Sequence, residues 1–286
     1  MTNRVLFFCF LFLIVNTLDA QYTFETFKDT RVINTHSVET LPKRKLDIRI
    51  GHRFGDLAGS RGGWKTFYGL ENAEDVMIGG EYGITNALTI GINRTKASGP
   101  LKRLVNGIIK YKLLRQKEDN SMPFTVTLLS VTSASTMEKS PDPEVINYFN
   151  SFSHRFIYTG QLLIARKFSN NFSLQVIPSY THRNVVGSDD ENGLISLGFA
   201  SRIQLSKVFG IIVDGTFPFS DLRIADNGYY PAIGIGLEID TGGHLFQLNF
   251  TNATAISETD YIPNTFSNWN DGEFRLGFTV SRTFNL

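Results

Sequence analysis

Five histidines are the residues best suited to acid–base or metal chemistry, and their spacing argues against both: His36, His52, His154, His182 and His244. On an extended strand, residues two apart share a face. No pair of these histidines has that spacing, so no metal site is expected. Ser153 stands beside His154, and Ser179 lies three residues before His182. Both spacings put serine and histidine on opposite faces of a strand, which denies the serine a base. No GxSxG elbow occurs either. Cys9, the only cysteine, lies in an apolar N-terminal run, so no thiol nucleophile or disulfide is expected beyond it. The sequence predicts no enzyme and no cofactor, and a membrane-embedded lipid hydrolase is only its third reading.

Charged residues give a stronger signal. Arg49, Arg53, Asp75, Glu81, Lys110, Lys112, Arg202, Asp214, Glu238 and Arg275 each fall on the polar face of an alternating segment. An Arg or Lys facing lipid at mid-depth costs roughly 2–4 kcal/mol. Their common facing therefore makes them candidate lumen-lining residues of a barrel. Mixed charges of this kind line a narrow watery path or pair into a network that fills it.

The elements that position them are short and alternating. Twelve such segments run from Arg44 to Leu286. In the last, Phe274, Leu276, Phe278, Val280, Phe284 and Leu286 oppose Glu273, Arg275, Gly277, Thr279, Ser281 and Asn285. Arg282 interrupts the apolar face near the end, where a long side chain can snorkel to headgroups. The links between segments alternate in length. Tight ones fall at Thr85 and Asn86, at 169–171, at Ser206 and Lys207, and at 241–243. Long ones cover 55–74, 137–151, 184–192, 218–228 and 256–272. A soluble sandwich alternates too, with its apolar face inward. Long strands, an even number of them and alternating link lengths favour an all-β, 12-stranded antiparallel transmembrane β-barrel.

The flanking segments complete the organisation. Residues 1–20 read as a signal peptide: Arg4, an apolar core from Val5 to Val15, then Leu18, Asp19 and Ala20. Residues 21–43 show no sustained period and read as an N-terminal periplasmic extension at the barrel mouth; 44–286 is the outer-membrane barrel. Twenty-four Phe and ten Tyr against two Trp suit strands and membrane interfaces. A net charge of +1 gives no electrostatic argument for nucleic acid.

The stretch from Lys45 to Gly55, followed by Phe67, Tyr68, Gly69, Leu70 and Glu71, resembles an uncharacterised family of predicted outer-membrane β-barrel proteins, a domain of unknown function. The run from Val76 to Gly91 fits it too, so the resemblance is strongest over 45–95. It implies a fold and a compartment and transfers no catalytic residue.

The leading expectation is an integral outer-membrane barrel, exported across the inner membrane, that acts as a passive channel or transporter for small polar solutes. Its partners are then outer-membrane lipid and the barrel-assembly machinery. The alternative is a structural or partner-docking barrel with a plugged polar lumen. Antiparallel register also predicts an inner-wall ion pair between the first two strands. A residue-number sum of 128 sets Arg53 opposite Asp75, and one of 130 sets Arg49 opposite Glu81.

Overall fold

A computed structural model describes residues 21–286; the signal-peptide reading of 1–20, with Cys9, lies outside the described residues. Twelve strands follow the alternating segments: β1 (Lys45–Phe54), β2 (Ala73–Gly83), β3 (Leu88–Thr95), β4 (Leu104–Leu114), β5 (Thr125–Ser135) and β6 (Phe156–Ser169). The second half is β7 (Phe172–Arg183), β8 (Gly193–Gln204), β9 (Phe209–Phe219), β10 (Ala232–Asp240), β11 (Leu245–Thr251) and β12 (Arg275–Asn285). Each strand pairs antiparallel with its sequence neighbours, and β1 closes on β12, with Ile50 opposite Val280. Closure leaves no strand edge unpaired, the condition for backbone to stand in hydrocarbon.

Outward positions carry the apolar members of each alternation. Ile48 and Ile50 of β1, Leu128 of β5, Leu197 of β8 and Leu248 of β11 are exposed, while their chain neighbours Asp47, Arg49, Thr127, Ser196 and Asn249 are buried. His52 belongs to the outer face, 4.3 Å from the Phe54 ring and stacked on Phe278 at 5.6 Å. Arg282 lies over the Phe284 ring at 5.1 Å, near the chain end.

Link lengths sort the two ends of the barrel. One end has the turns 84–87, 170–171, 205–208 and 241–244, and the chain's last strand finishes there. At this end 115–124 is a longer link, and it has a structural use. It pairs with the chain's start through a Tyr22–Lys117 bridge and the Thr23 amide donating to the Gln116 carbonyl at 3.0 Å. The opposite end has the loops 55–72, 96–103, 136–155, 184–192, 220–231 and 252–274.

Two long-end loops are clasped by one carboxylate. Asp190 accepts two 2.8 Å hydrogen bonds from Arg183 and one of 2.5 Å from Arg223. Burial alone would raise its pKa, but the two guanidinium partners hold it at about 2. A depressed carboxylate stabilises above its unfolded value and loses that contribution as pH falls through the folded one. Protection of loops 184–192 and 220–231 from proteolysis should therefore persist at pH 4 and fall away near pH 2. Asp190→Asn should remove it at neutral pH, and equal protection in both proteins would contradict the clasp.

The interior is filled rather than hollow. Residues 26–41 enter from the short-turn end and fold back as a hairpin, with the Val32 amide on the Thr35 carbonyl at 2.8 Å and the Ser37 amide on the Thr30 carbonyl at 2.9 Å. From the other end, loop 252–274 turns inward, carrying the one-turn helix α1 (Glu258–Tyr261), all four residues of which are buried. Part of the inner wall on β4–β9 is apolar, contrary to the period-two expectation. Ile108, Leu129, Val131, Leu163, Ile177 and Ile212 pack with Phe27, Val32, Ile33 and Val38 of the hairpin. An apolar inner wall is tolerated because the hairpin, not water, covers it.

Candidate functional site in the lumen

The hairpin's backbone has few sheet partners, so wall side chains must supply them. At its tip, the Asp214 carboxylate on β9 accepts from the Ile33, Asn34 and Thr35 amides at 3.1, 2.6 and 2.8 Å. The Asn34 amide group adds a bond at 2.8 Å and the Thr35 hydroxyl one at 3.1 Å. Along its flanks, Lys110 donates to the Thr30 and Glu39 carbonyls at 3.1 and 2.5 Å, and Gln175 to the His36 carbonyl at 2.8 Å. Thr127 donates to the Val38 carbonyl at 2.7 Å.

Charge pairs complete the anchorage. The Arg49 guanidinium holds both Asp29 oxygens, with Nη1 2.7 Å from Oδ2, and also reaches Asp47 at 3.1 Å. Lys112 meets Glu39 at 3.2 Å. Hairpin and inward loop meet in the middle of the barrel, where Arg31 donates to the Ile256 carbonyl at 3.1 Å and to Glu258 at 3.0 Å. Arg31 also donates to His36 at 2.8 Å, so the imidazole accepts there. Burial first, then the charges of Arg31, Lys110 and Arg49, push His36 well below its ordinary value and keep it neutral at physiological pH.

The sequence-derived residues are all on the inner side. Arg49, Arg53, Asp75, Glu81, Lys110, Asp214, Glu238 and Arg275 are buried, and Lys112 and Arg202 are half-buried. The wall joins Arg202 to Glu238 directly, at 2.7 Å. Arg275 instead reaches the Asn252 carbonyl at 2.5 Å and the Ser267 hydroxyl at 2.8 Å. Glu81 keeps one carboxylate oxygen without a partner, beside a space of about 10 Å³ shared with Arg31, Arg49 and Asn93.

The expected wall ion pair does not form. The register sum is 128, and Arg53 is opposite Asp75, but the two side chains diverge. Arg53 donates to the Ala253 and Ala255 carbonyls and, at 2.6 Å, to the Asn34 side chain. Asp75 accepts from the Ile256 and Ala97 amides at 2.8 and 2.9 Å. Orphaned backbone groups of the inserted segments outcompete a cross-strand contact worth roughly 0.2–1 kcal/mol. Nor do the serine–histidine pairs form: the Ser179 hydroxyl is bonded by Gln161 at 2.9 Å and Ser153 by Ser151 at 3.0 Å.

Sequence reasoning did not identify Asp29, Arg31, Asn34 and Glu39 of the hairpin, or Glu258 and Asp260 of the loop. The available signal was polar, non-periodic chain of sixteen or more residues adjoining a charged inner face. Open space remains at the two ends: a cavity of about 480 Å³ at the short-turn end, lined in part by Phe24, Phe27, Lys28, Glu39, Lys112 and Arg115. Another of about 770 Å³ lies among the long loops, beside Phe149, Asp189 and Tyr229.

This geometry agrees with a family match. Residues 27–284 fit the membrane-bound beta barrel domain DUF5777. The chain belongs to that family. The match begins inside the hairpin, so the family's domain includes most of the inserted segment as well as the barrel. No curated protein matches. Among solved structures, the chain is similar to the KdgM porin in complex with disordered oligogalacturonate, at 9% identity and a TM-score of 0.50, over 84% of this chain and 99% of that one. It is similar at 14% identity and a TM-score of 0.46 to an outer-membrane channel from Pseudomonas putida F1, over 86% and 98%. The Acinetobacter baumannii outer-membrane protein Omp33 is similar at 8% identity and a TM-score of 0.44, over 85% and 99%. At 9% identity the likeness to the KdgM porin is one of fold.

Proposed function

We propose that this barrel is an outer-membrane channel for small polar solutes, exported across the inner membrane with the short turns facing the periplasm. In the described conformation it is closed, by the N-terminal hairpin from the periplasmic side and by loop 252–274 from the outside. The observation that carries the reading is how the hairpin is held. Its polar groups bond to wall side chains, not to strands, and those side chains can bond water or a polar solute instead. The barrel itself closes without the hairpin, since every strand pairs with its two neighbours. The KdgM porin, similar in fold, points the same way and away from enzymatic chemistry.

One observation favours a second reading, a permanently plugged docking barrel. Burying Phe27, Val32, Ile33 and Val38 contributes roughly 1.5–3 kcal/mol per side chain. Opening is therefore a minor state. Planar-bilayer recording of the purified full chain tests both readings. The channel reading expects discrete openings that occupy a small fraction of the time, and more of them in Arg31→Ala, which lacks the contact joining hairpin to loop. Correctly folded protein that never conducts, in either form, would leave the docking reading standing.

A further inference from the structure

We propose that the opened lumen selects small carboxylate solutes, because the wall grips the hairpin mainly through cations placed on oxygen acceptors. The inference rests on the channel reading and names its substrate class.

Among the described residues, six wall cations contact the N-terminal segment: Arg49, Arg53, Lys110, Lys112, Arg115 and Lys167. Only two wall carboxylates do so, Asp214 and Asp240. Of the two, Asp214 takes backbone amides and only Asp240 takes a hairpin cation, Lys28, at 3.1 Å. The segment thus presents itself to the wall largely as an oxygen ligand. Asp29 on Arg49 and Glu39 on Lys112 are carboxylates in the strict sense. The Phe24 and Glu25 carbonyls on Lys167, each at 3.0 Å, are the neutral counterpart.

What remains after withdrawal decides the selectivity. Arg49 keeps Asp47 as a partner on its own strand. Lys110, Lys112, Arg115 and Lys167 have no wall carboxylate within 4 Å among the described ion pairs. These four sit together on β4, the turn after it, and β6, at the short-turn mouth. Withdrawal therefore exposes a patch in which these cations outnumber the neighbouring wall carboxylate Glu81, inside a low-dielectric wall that focuses field and concentrates counter-ions. Lys and Arg rings serve the same purpose in anion pores. Glu39 on Lys112 already shows a carboxylate seated on this patch, and a small carboxylate is its free-solute equivalent.

The test uses the full-length protein in planar bilayers across a potassium chloride gradient, with Asp29→Asn/Glu39→Gln to loosen the hairpin. Chloride should permeate several-fold faster than potassium, and added succinate should reduce the chloride current. Lys112→Gln/Lys167→Gln, at half-buried positions where folding is spared, should bring the ratio several-fold closer to unity and relieve the succinate effect. Conductance that is unselective or cation-selective, or indifferent to these two lysines, overturns the inference and leaves the channel reading intact. Absence of conductance in every variant, with barrels folded, overturns the channel reading and this inference with it.

Discussion

Replacing Asp214 with alanine is expected to release the N-terminal hairpin while leaving the barrel closed. Five donors converge on this carboxylate, three of them backbone amides of the hairpin tip. Each buried donor left without a partner costs about 1–3 kcal/mol, and hydrogen bonds to a charged acceptor are the stronger ones. Water entering the vacated space recovers part of that. A net loss on the order of 3 kcal/mol for the inserted state is the expected result. Arg31, held inside the lumen, should then become cleavable by trypsin, while strand content stays unchanged. Asp214→Asn keeps one acceptor oxygen and should release the hairpin less. Undiminished protection in Asp214→Ala would mean that the apolar contacts of Val32, Ile33 and Val38 alone retain the segment.

The next largest effect concerns the outer face. Leu197 is an exposed residue of β8 flanked across the sheet by Pro178 and Phe217, with no polar neighbour in register. Leu197→Arg should destabilise the membrane-inserted barrel by roughly 2–4 kcal/mol. Leu205→Arg, equally apolar and exposed but in the turn 205–208, should cost about 0–1 kcal/mol, because the guanidinium reaches headgroups there. Urea titration of protein refolded into vesicles measures both. Similar midpoints for the two variants would contradict the placement of β8 in lipid.

The barrel was legible because its determinants are local. Period-two alternation over ten or so residues specifies which face each side chain takes, and link lengths specify which end is which. The alternation in β12 and the register of Arg53 opposite Asp75 are of this kind. The filling of the lumen was not legible, because nothing periodic marks it. Residues 26–41 have their partners on other elements, some nearby in sequence, as Asp29 has in Arg49, others far along the chain, as Asn34 has in Asp214 and Arg31 in Glu258. Such contacts leave no trace in spacing. For the same reason Ile108 and Leu129 could not be read as the hairpin's packing surface. An inward apolar residue makes sense only once its cover is known. The diverging Arg53 and Asp75 carry the same lesson, since register placed them opposite one another and the inserted backbone took both side chains.

A redox lock tests most directly whether the N-terminal hairpin is the movable closure of a conducting lumen. The Asn34 and Thr251 side chains meet at 3.2 Å across the junction of hairpin and wall, and the chain has no cysteine beyond Cys9. Asn34→Cys/Thr251→Cys therefore places a single engineered disulfide between them. In planar bilayers, the reduced protein should open, and the oxidised protein, its cross-link verified by mass, should stay closed until reductant is added. Equal conductance in the oxidised and reduced states would contradict the account, because solute would then be passing a hairpin that cannot leave.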